Sequence, residues 1–144
     1  MLTLTNQDEA SPEDIAFFQL LNDYNTAHAG PSGNRQINLF LRDEAGQIRG
    51  GLKGRSAYRW MFVDWLAIDE EHRRQGLGSR LLHAAEDEAR ARECVGIYLD
   101  TYSFQALPFY QKHGYEVFGV LEDRPPGHSH YFLKKRLDGV VAGE

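Results

Sequence analysis

The stretch Arg73-Arg74-Gln75-Gly76-Leu77-Gly78-Ser79 joins two segments of opposite character. Before it, Tyr58–Ile68 is rich in aromatic and β-branched residues and almost continuously apolar, which is typical of a central strand covered on both faces. After it, apolar residues recur at three- and four-residue spacing from Leu77 to Ala89, which predicts an amphipathic helix. The stretch therefore forms the turn of a strand-turn-helix unit, and its backbone amides include the unpaired donors of a helix N-terminus.

This turn is suited to bind an anion. Gly76 and Gly78 allow a ligand to approach the backbone closely, and the positive end of the helix with its two flanking arginines favours a doubly charged pyrophosphate. The same pattern also fits an ordinary helix start with two solvated arginines. Two familiar nucleotide motifs do not fit, because no Gly-Lys-Ser/Thr follows a four-residue gap and Leu81 stands where a dinucleotide-binding fold requires its third glycine.

The rest of the pattern predicts alternating helices and strands within one domain, residues 1–144. Ser11 offers an N-cap hydroxyl and Pro12 suits the first helical position, so a helix begins there and ends near Ala27–Ala29. The later predicted elements are strands Ile37–Arg42 and Gln47–Arg55 around the turn Asp43–Gly46, strand Tyr58–Ile68, a helix from Gly76 that Gly96 breaks, strand Ile97–Thr101 parallel to the central strand, helix Gln105–His113, and strands Tyr115–Leu121 and His130–Leu137.

Composition and charge narrow the class of protein. With 42% hydrophobic and 26% charged residues, the chain has the composition of a globular protein rather than a disordered or membrane protein. A formal net charge of -5 argues against nucleic acid as the main partner. The single cysteine, Cys94, cannot form an internal disulfide, and the sequence has neither a signal peptide pattern nor an apolar run long enough to span a membrane. We therefore expect a cytoplasmic protein without membrane association.

Two linked motifs flank the predicted long helix. The first is Arg73-x-x-Gly76-x-Gly78, and the second is the segment Ala106–Tyr115, which contains Phe109-Tyr110 and Lys112-His113-Gly114-Tyr115. Together they resemble the pyrophosphate loop Q/R-x-x-G-x-G/A and the A-x-x-F-Y-x-K-x-G-F/Y segment of the GNAT superfamily of acyl-CoA-dependent N-acetyltransferases. The resemblance is close from about Trp60 to Val120. It implies a mixed α/β (α+β) fold, with a mixed, mostly antiparallel sheet of about six or seven strands flanked by helices and a splayed central parallel strand pair.

The resemblance also implies a site for acetyl-CoA. In this family the strand before the loop separates from its neighbour, and its free backbone groups hold the pantetheine arm while the loop amides hold the pyrophosphate. Ser103 stands where the family often has asparagine, and a hydroxyl replaces only one of the hydrogen bonds of an amide. The cofactor-binding positions implied in this way are Leu66, Ala67, Ile68, Arg73, Arg74, Gln75, Gly76, Leu77, Gly78, Ser79 and Ser103.

Two side chains are candidates for proton transfer. Tyr110 matches the family's frequent general acid, which returns a proton to the departing sulfur; the alternative is a structural tyrosine. Asp64 interrupts an apolar strand and shares the two-residue period of the cofactor positions that follow it, unless a bulge intervenes, so it is the first candidate for the base. The alternative for Asp64 is a partnered strand carboxylate. Glu122 and His128 are weaker candidates.

The expected reaction is direct transfer of an acetyl group from acetyl-CoA to a primary amine of a small molecule in a ternary complex. A covalent route through Cys94 is disfavoured because that thiol lies at the negative end of a helix. No metal is expected, since the histidines lack ligand spacing. A protein or peptide amine as acceptor, a non-catalytic acyl-CoA-binding module and a homodimer all stay open, as does the identity of the acceptor.

Overall fold

The structure, a computed structural model, describes residues 1–139. These residues divide into a first compact unit, Met1–Ser32, and a second that begins at Gly33. The first unit contains helix α1, Asp14–Ala29, which is capped by Glu13 rather than by the predicted Ser11, whose hydroxyl accepts the Glu13 amide at 3.1 Å. None of the residues described in α1 is buried. The prediction of one domain over the whole chain stays a prediction.

The second unit is built on one sheet. Among the described residues it has six strands in the order β1-β2-β3-β4-β6-β5, and β3 and β4 are its parallel neighbours while the other pairs are antiparallel. This confirms the mixed, mostly antiparallel sheet with a central parallel pair. The strands are β1 Arg35–Arg42, β2 Ile48–Ala57, β3 Trp60–Ile68, β4 Gly96–Tyr102, β5 Glu116–Glu122 and β6 Ser129–Arg136.

Two helices of this unit follow the predicted order. Helix α2 is Leu77–Ala91 and α3 is Leu107–Lys112, with a short 3₁₀ turn at Glu70–His72 before α2. The prediction that Gly96 breaks α2 is wrong, because α2 ends at Ala91 and Glu93 already has a positive φ of 61°. Gly96 instead begins β4, where a side chain would overlap the ring of Trp60.

The core lies between α2 and one face of the sheet. Leu82, Ala85 and Ala89 of α2 are fully buried, and they belong to the same cluster as Met61 of β3 and Leu99 of β4. Burial of this apolar face fixes the helix on the sheet, at roughly 25 cal/mol for each Å² removed from water. The α2 N-terminus is thereby held at the end of β3.

One buried charge strengthens this arrangement. Glu86 of α2 is 3% exposed and accepts hydrogen bonds from the Tyr115 hydroxyl at 2.9 Å and from Lys135 Nζ at 3.0 Å. Burial and the adjacent Glu86 carboxylate raise the pKa of Tyr115. Because the carboxylate is partnered on both oxygens, it ties α2 to the last strand without leaving an unpaired buried charge.

The parallel pair separates partway along its length. Pairing between β3 and β4 runs from Trp60 opposite Gly96 to Val63 opposite Leu99 and goes no further among the described strand residues. The remaining residues of β3 therefore have no backbone partners on β4, as the resemblance implied. A fork opens in the middle of the sheet at this point.

A bulge in β3 coincides with the fork. In the pairing with β2, Lys53 lies opposite Trp65 and Gly54 opposite Val63, so Asp64 is the extra residue. A bulge shifts the alternation of side chains along a strand.

Within residues 1–139, no helix has the length and apolarity needed to cross a membrane.

Candidate active site

The turn between β3 and α2 exposes the amides of a helix N-terminus. The first hydrogen bond inside α2 runs from Arg80 N to Gly76 O at 3.1 Å, so the amides of residues 77–79 precede the helical ladder. Gly76 caps α2 with a φ of 75° and Arg74 has a φ of 64°, both in the left-handed region. Turns that contain left-handed residues can direct successive N–H groups toward a bound anion, as many anion-binding turns do.

A cavity of about 760 Å³ opens beside this turn. We call it the turn cavity. It contains most of the positions that the resemblance implied for the cofactor, brought together from β3 and the start of α2. The predicted positions in its lining are Leu66, Ala67, Ile68, Arg73, Arg74, Gly76, Leu77, Gly78 and Ser79.

Two predicted cofactor positions lie outside this lining. Gln75 is in the turn but does not line the cavity. The Ser103 hydroxyl accepts from the Ser129 amide at 3.1 Å and lies 3.3 Å from His128 Nδ1, so it holds the end of β4 to the connection before β6. Their cofactor roles stay predictions.

The side chains of Arg73 and Ser79 already have partners. Arg73 Nε donates to the Ile68 carbonyl at 3.0 Å, which braces the turn against the end of β3. The Ser79 hydroxyl lies 2.8 Å from His113 Nε2, and His113 Nδ1 lies 2.8 Å from the Phe109 carbonyl. Because a carbonyl only accepts, Nδ1 donates to Phe109, and the tautomer that carries its proton there accepts the Ser79 proton at Nε2. Ser79 therefore offers the cavity its amide and a hydroxyl lone pair.

A second cavity, of about 680 Å³, lies where β3 and β4 separate. We call it the fork cavity. It shares part of its wall with the turn cavity, including Leu66, Ala106 and Tyr110. The two cavities therefore meet at the fork, and one ligand along the free edge of β3 would reach both.

Tyr110 stands at this junction. It lies in α3, is 7% exposed, and lines both cavities. Burial, and then the negative charge of Asp100, raise the pKa of Tyr110 to about 12. Its phenol therefore carries its proton at neutral pH and is able to donate it.

Asp64 lies at the bulge of β3 and lines the fork cavity. Leu66 and Ile68 pack against the core cluster, and Leu66 also lines the fork cavity, while Asp64 lines it beside Phe62 and Trp65 without belonging to that cluster. The sequence predicts that Asp64 faces the same way as Leu66 and Ile68 unless a bulge intervenes. A bulge is present, so the two-residue alternation of side chains is interrupted at Asp64. Both Asp64 oxygens accept from Arg55 Nη1, at 2.9 and 3.0 Å. Each oxygen keeps a further lone pair for a ligand.

Sequence reasoning missed several residues of the fork cavity. Asp100 and Tyr102 of β4 line it, as does Gln105, whose carboxamide oxygen accepts the Tyr102 amide at 2.9 Å. The signal available in the sequence was Asp100 itself, a charge in a short apolar strand predicted to run parallel to the one holding Asp64. The weaker base candidates, Glu122 and His128, do not belong to the lining described for either cavity.

The thiol of Cys94 is buried, and burial raises its pKa. It lies in the core cluster rather than in the lining of the turn or fork cavity. A raised pKa leaves little thiolate at neutral pH, which adds to the sequence argument against a covalent route.

Comparison with known proteins identifies the family. The family model described as Acetyltransferase (GNAT) family matches residues 2–115. An acetyltransferase of Agrobacterium fabrum is 39% identical over 114 residues, covering 79% of this chain and 83% of the relative. The blasticidin-S acetyltransferase of Streptomyces morookaense is 44% identical over 97 residues, covering 65% of this chain and 70% of the relative.

Solved structures agree with this match. The 1.9 Å crystal structure of an acetyltransferase from Bacillus cereus superposes with a TM-score of 0.82 at 36% identity and covers 92% of this chain and 98% of that one. The shared features therefore extend over nearly the whole chain rather than over the turn alone. This chain belongs to the acetyltransferase (GNAT) family and is an acyltransferase enzyme.

Proposed function

We propose that the protein transfers the acetyl group of acetyl-CoA to the primary amine of a small organic molecule. The single observation that carries this proposal is the continuity of the two cavities at Tyr110, with an anion-binding turn at one end and acidic side chains at the other. Membership of the family supports the acetyl donor.

On the donor side, the diphosphate of acetyl-CoA binds to the amides of residues 76–79 at the start of α2. The pantetheine arm runs along the free edge of β3, where Leu66 and Ile68 present backbone groups that β4 does not pair. The Ile68 carbonyl also accepts from Arg73, so this turn and this edge are braced as one surface. The thioester then lies in the junction beside Tyr110.

On the acceptor side, the amine enters through the fork cavity. An ammonium group first loses one proton to solvent, and the nitrogen lone pair attacks the thioester carbonyl carbon. As the C–N bond forms and the C–S bond breaks, Asp64 takes the second proton from nitrogen and the Tyr110 phenol gives its proton to sulfur. The amide and the free thiol of CoA leave, and solvent returns the proton from Asp64 to the phenolate.

The class of acceptor is suggested by one relative. The blasticidin-S acetyltransferase is named for a small molecule, and it aligns with 65% of this chain. A small-molecule acceptor also fits the fork cavity, whose volume of about 680 Å³ is within the usual range for small ligands.

Release of free thiol from acetyl-CoA tests the proposal. The panel is blasticidin S, spermidine, tyramine, lysine and an alanyl peptide, each incubated with the full chain and with Tyr110→Phe. We expect acceptor-dependent thiol release by at least one small amine, with a lower rate for Tyr110→Phe. Thiol release with the peptide and with no small amine would indicate that the acceptor is a protein or peptide amine. Tight binding of acetyl-CoA without release by any amine would refute catalysis of this reaction.

A further inference from the structure

The fork cavity carries a second carboxylate that the proposed reaction does not use. Asp100 directly follows Leu99, the last residue of β4 that pairs with β3, and Asp64 directly follows its partner Val63. The two carboxylates therefore stand at the same level on the two strands where these separate. The Asp100 side chain is 30% exposed and lines the fork cavity.

A buried histidine lies behind Asp100. His130 Nε2 is 3.1 Å from Asp100 Oδ2, and the histidine side chain is only 4% exposed. Its ring stacks on Tyr102 with centroids 4.3 Å apart and contacts the ring of Phe132 at 4.6 Å. Among the described residues its Nδ1 is buried without a hydrogen-bond partner. The polar contact that accounts for burying this imidazole is therefore the one with Asp100.

The two carboxylates differ in what they offer a ligand. Asp64 is paired through both oxygens with Arg55, which lies outside the cavity lining. The contact of Asp100 with His130 is made through Oδ2, and the Asp100 side chain lines the fork cavity. Of the described residues that line the fork cavity, two are acidic and none is basic. The charge of Asp100 also reaches Tyr110, whose pKa it raises.

Four aromatic residues also line the cavity. Phe62, Trp65 and Tyr102 line it together with Tyr110, and the Trp65 side chain is among the exposed large apolar groups. Aromatic faces attract both cations and planar organic groups. A carboxylate on the acceptor would meet the negative charge of Asp100 here, which disfavours its binding.

We propose that Asp100, held in place by His130, recognises the positive charge of the acceptor, and that the acceptor is a primary ammonium on an aromatic body without a carboxylate beside the nitrogen. His130 is a positioning residue that acts through Asp100. The inference rests on the proposed function, since it assigns the acceptor class of the same site.

Calorimetric titration of tyramine and of tyrosine into the full chain saturated with CoA tests this inference without turnover. The two ligands share an aromatic ring and a primary amine and differ by one carboxylate. The variants are Asp100→Asn, His130→Phe, which removes both ring nitrogens, and His130→Gln, which keeps a donor for Asp100. Asp87→Asn is the matched control, because it removes a carboxylate that is 80% exposed on α2 and pairs with Arg90 outside the cavity.

Wild type should bind tyramine at least about 10-fold more tightly than tyrosine, because both ligands keep the ammonium contact while the carboxylate of tyrosine is repelled by the charge of Asp100. Asp100→Asn and His130→Phe should weaken tyramine binding by about 10- to 100-fold and reduce the preference over tyrosine. His130→Gln should restore most of the affinity, Asp87→Asn should match wild type, and none should change CoA affinity.

Equal selectivity in Asp100→Asn and Asp87→Asn would overturn the inference, as would a wild type that does not prefer tyramine. Failure of His130→Gln to improve on His130→Phe would overturn the positioning role. If His130→Phe does not fold, Asp100→Asn and His130→Gln still decide the question. A wild type that binds CoA and tyramine but acetylates no amine would refute the proposed function alone. Turnover combined with unaltered binding by Asp100→Asn would refute this inference alone.

Discussion

Substitution of Gly76 separates backbone geometry from charge at the proposed diphosphate site. Gly76 has a φ of 75°, and a Cβ built there meets nothing within 4 Å. Gly76→Ala, Gly76→Gln and Gly76→Glu therefore share one strain, roughly 1–2 kcal/mol for an L-residue in the left-handed region. Their common Cβ creates no clash inside the protein. Gly76→Gln adds bulk at a residue that lines the turn cavity, and Gly76→Glu adds nearly the same bulk with a negative charge.

The charge effect follows from Coulomb's law. A carboxylate roughly 6 Å from a diphosphate that bears about two charges is repelled by about 3 kcal/mol at an effective dielectric constant of roughly 40. Allowing for screening by salt, we expect Gly76→Glu to bind acetyl-CoA about 30- to 100-fold more weakly than Gly76→Gln. The difference should shrink as ionic strength rises.

Calorimetric titration of acetyl-CoA into the three variants and wild type measures these affinities, and thermal melting reports whether the three share the same loss of stability. Gly78→Ala is a useful companion, because its Cβ would lie 3.4 Å from the Phe109 ring, which is an ordinary contact. Equal affinity of Gly76→Glu and Gly76→Gln at low salt would refute the placement of the diphosphate at this turn.

Three other substitutions test separate parts of the argument. Tyr110→Phe should lower kcat by about 10²- to 10⁴-fold, the usual range for a general acid, and leave acetyl-CoA affinity unchanged; equal kcat would remove Tyr110 as the acid. A general acid must be protonated, and burial together with Asp100 raises the pKa of Tyr110 to about 12. The wild-type rate should therefore not fall below about pH 10 through loss of this proton. A Tyr110-dependent fall below that pH would contradict the assignment. Asp64→Asn should lower kcat and leave acetyl-CoA affinity unchanged, and an unaltered kcat would assign proton removal to another group or to water. Gly96→Ala should destabilise the fold by about 1–3 kcal/mol in a denaturant titration, since its Cβ would overlap the Trp60 ring; wild-type stability would mean that this ring moves freely.

The anion-binding end of the site was largely predictable from sequence. A turn with Gly76 and Gly78 between a strand and a helix depends on local backbone conformation and on the unpaired amides of α2, and both are encoded by neighbouring residues. The same is true of the helical period of α2 and the apolar run of β3. The partners of Ser79 and Arg73 within this turn were not predictable, because His113 lies just after the end of α3 and the Ile68 carbonyl at the end of β3.

The sequence by itself determined the strand-turn-helix unit, the family resemblance and the candidacy of Asp64 and Tyr110, because each depends on local period or on a motif of adjacent residues. Only the tertiary structure decided which face Asp64 presents, since one extra residue in β3 reverses the alternation and is visible only in the pairing with β2. It also decided that Asp100 stands at the level of Asp64 and that His130 is buried behind it. Those contacts join β3, β4 and β6 across long sequence separations, and strand register, rather than local propensity, brings them together.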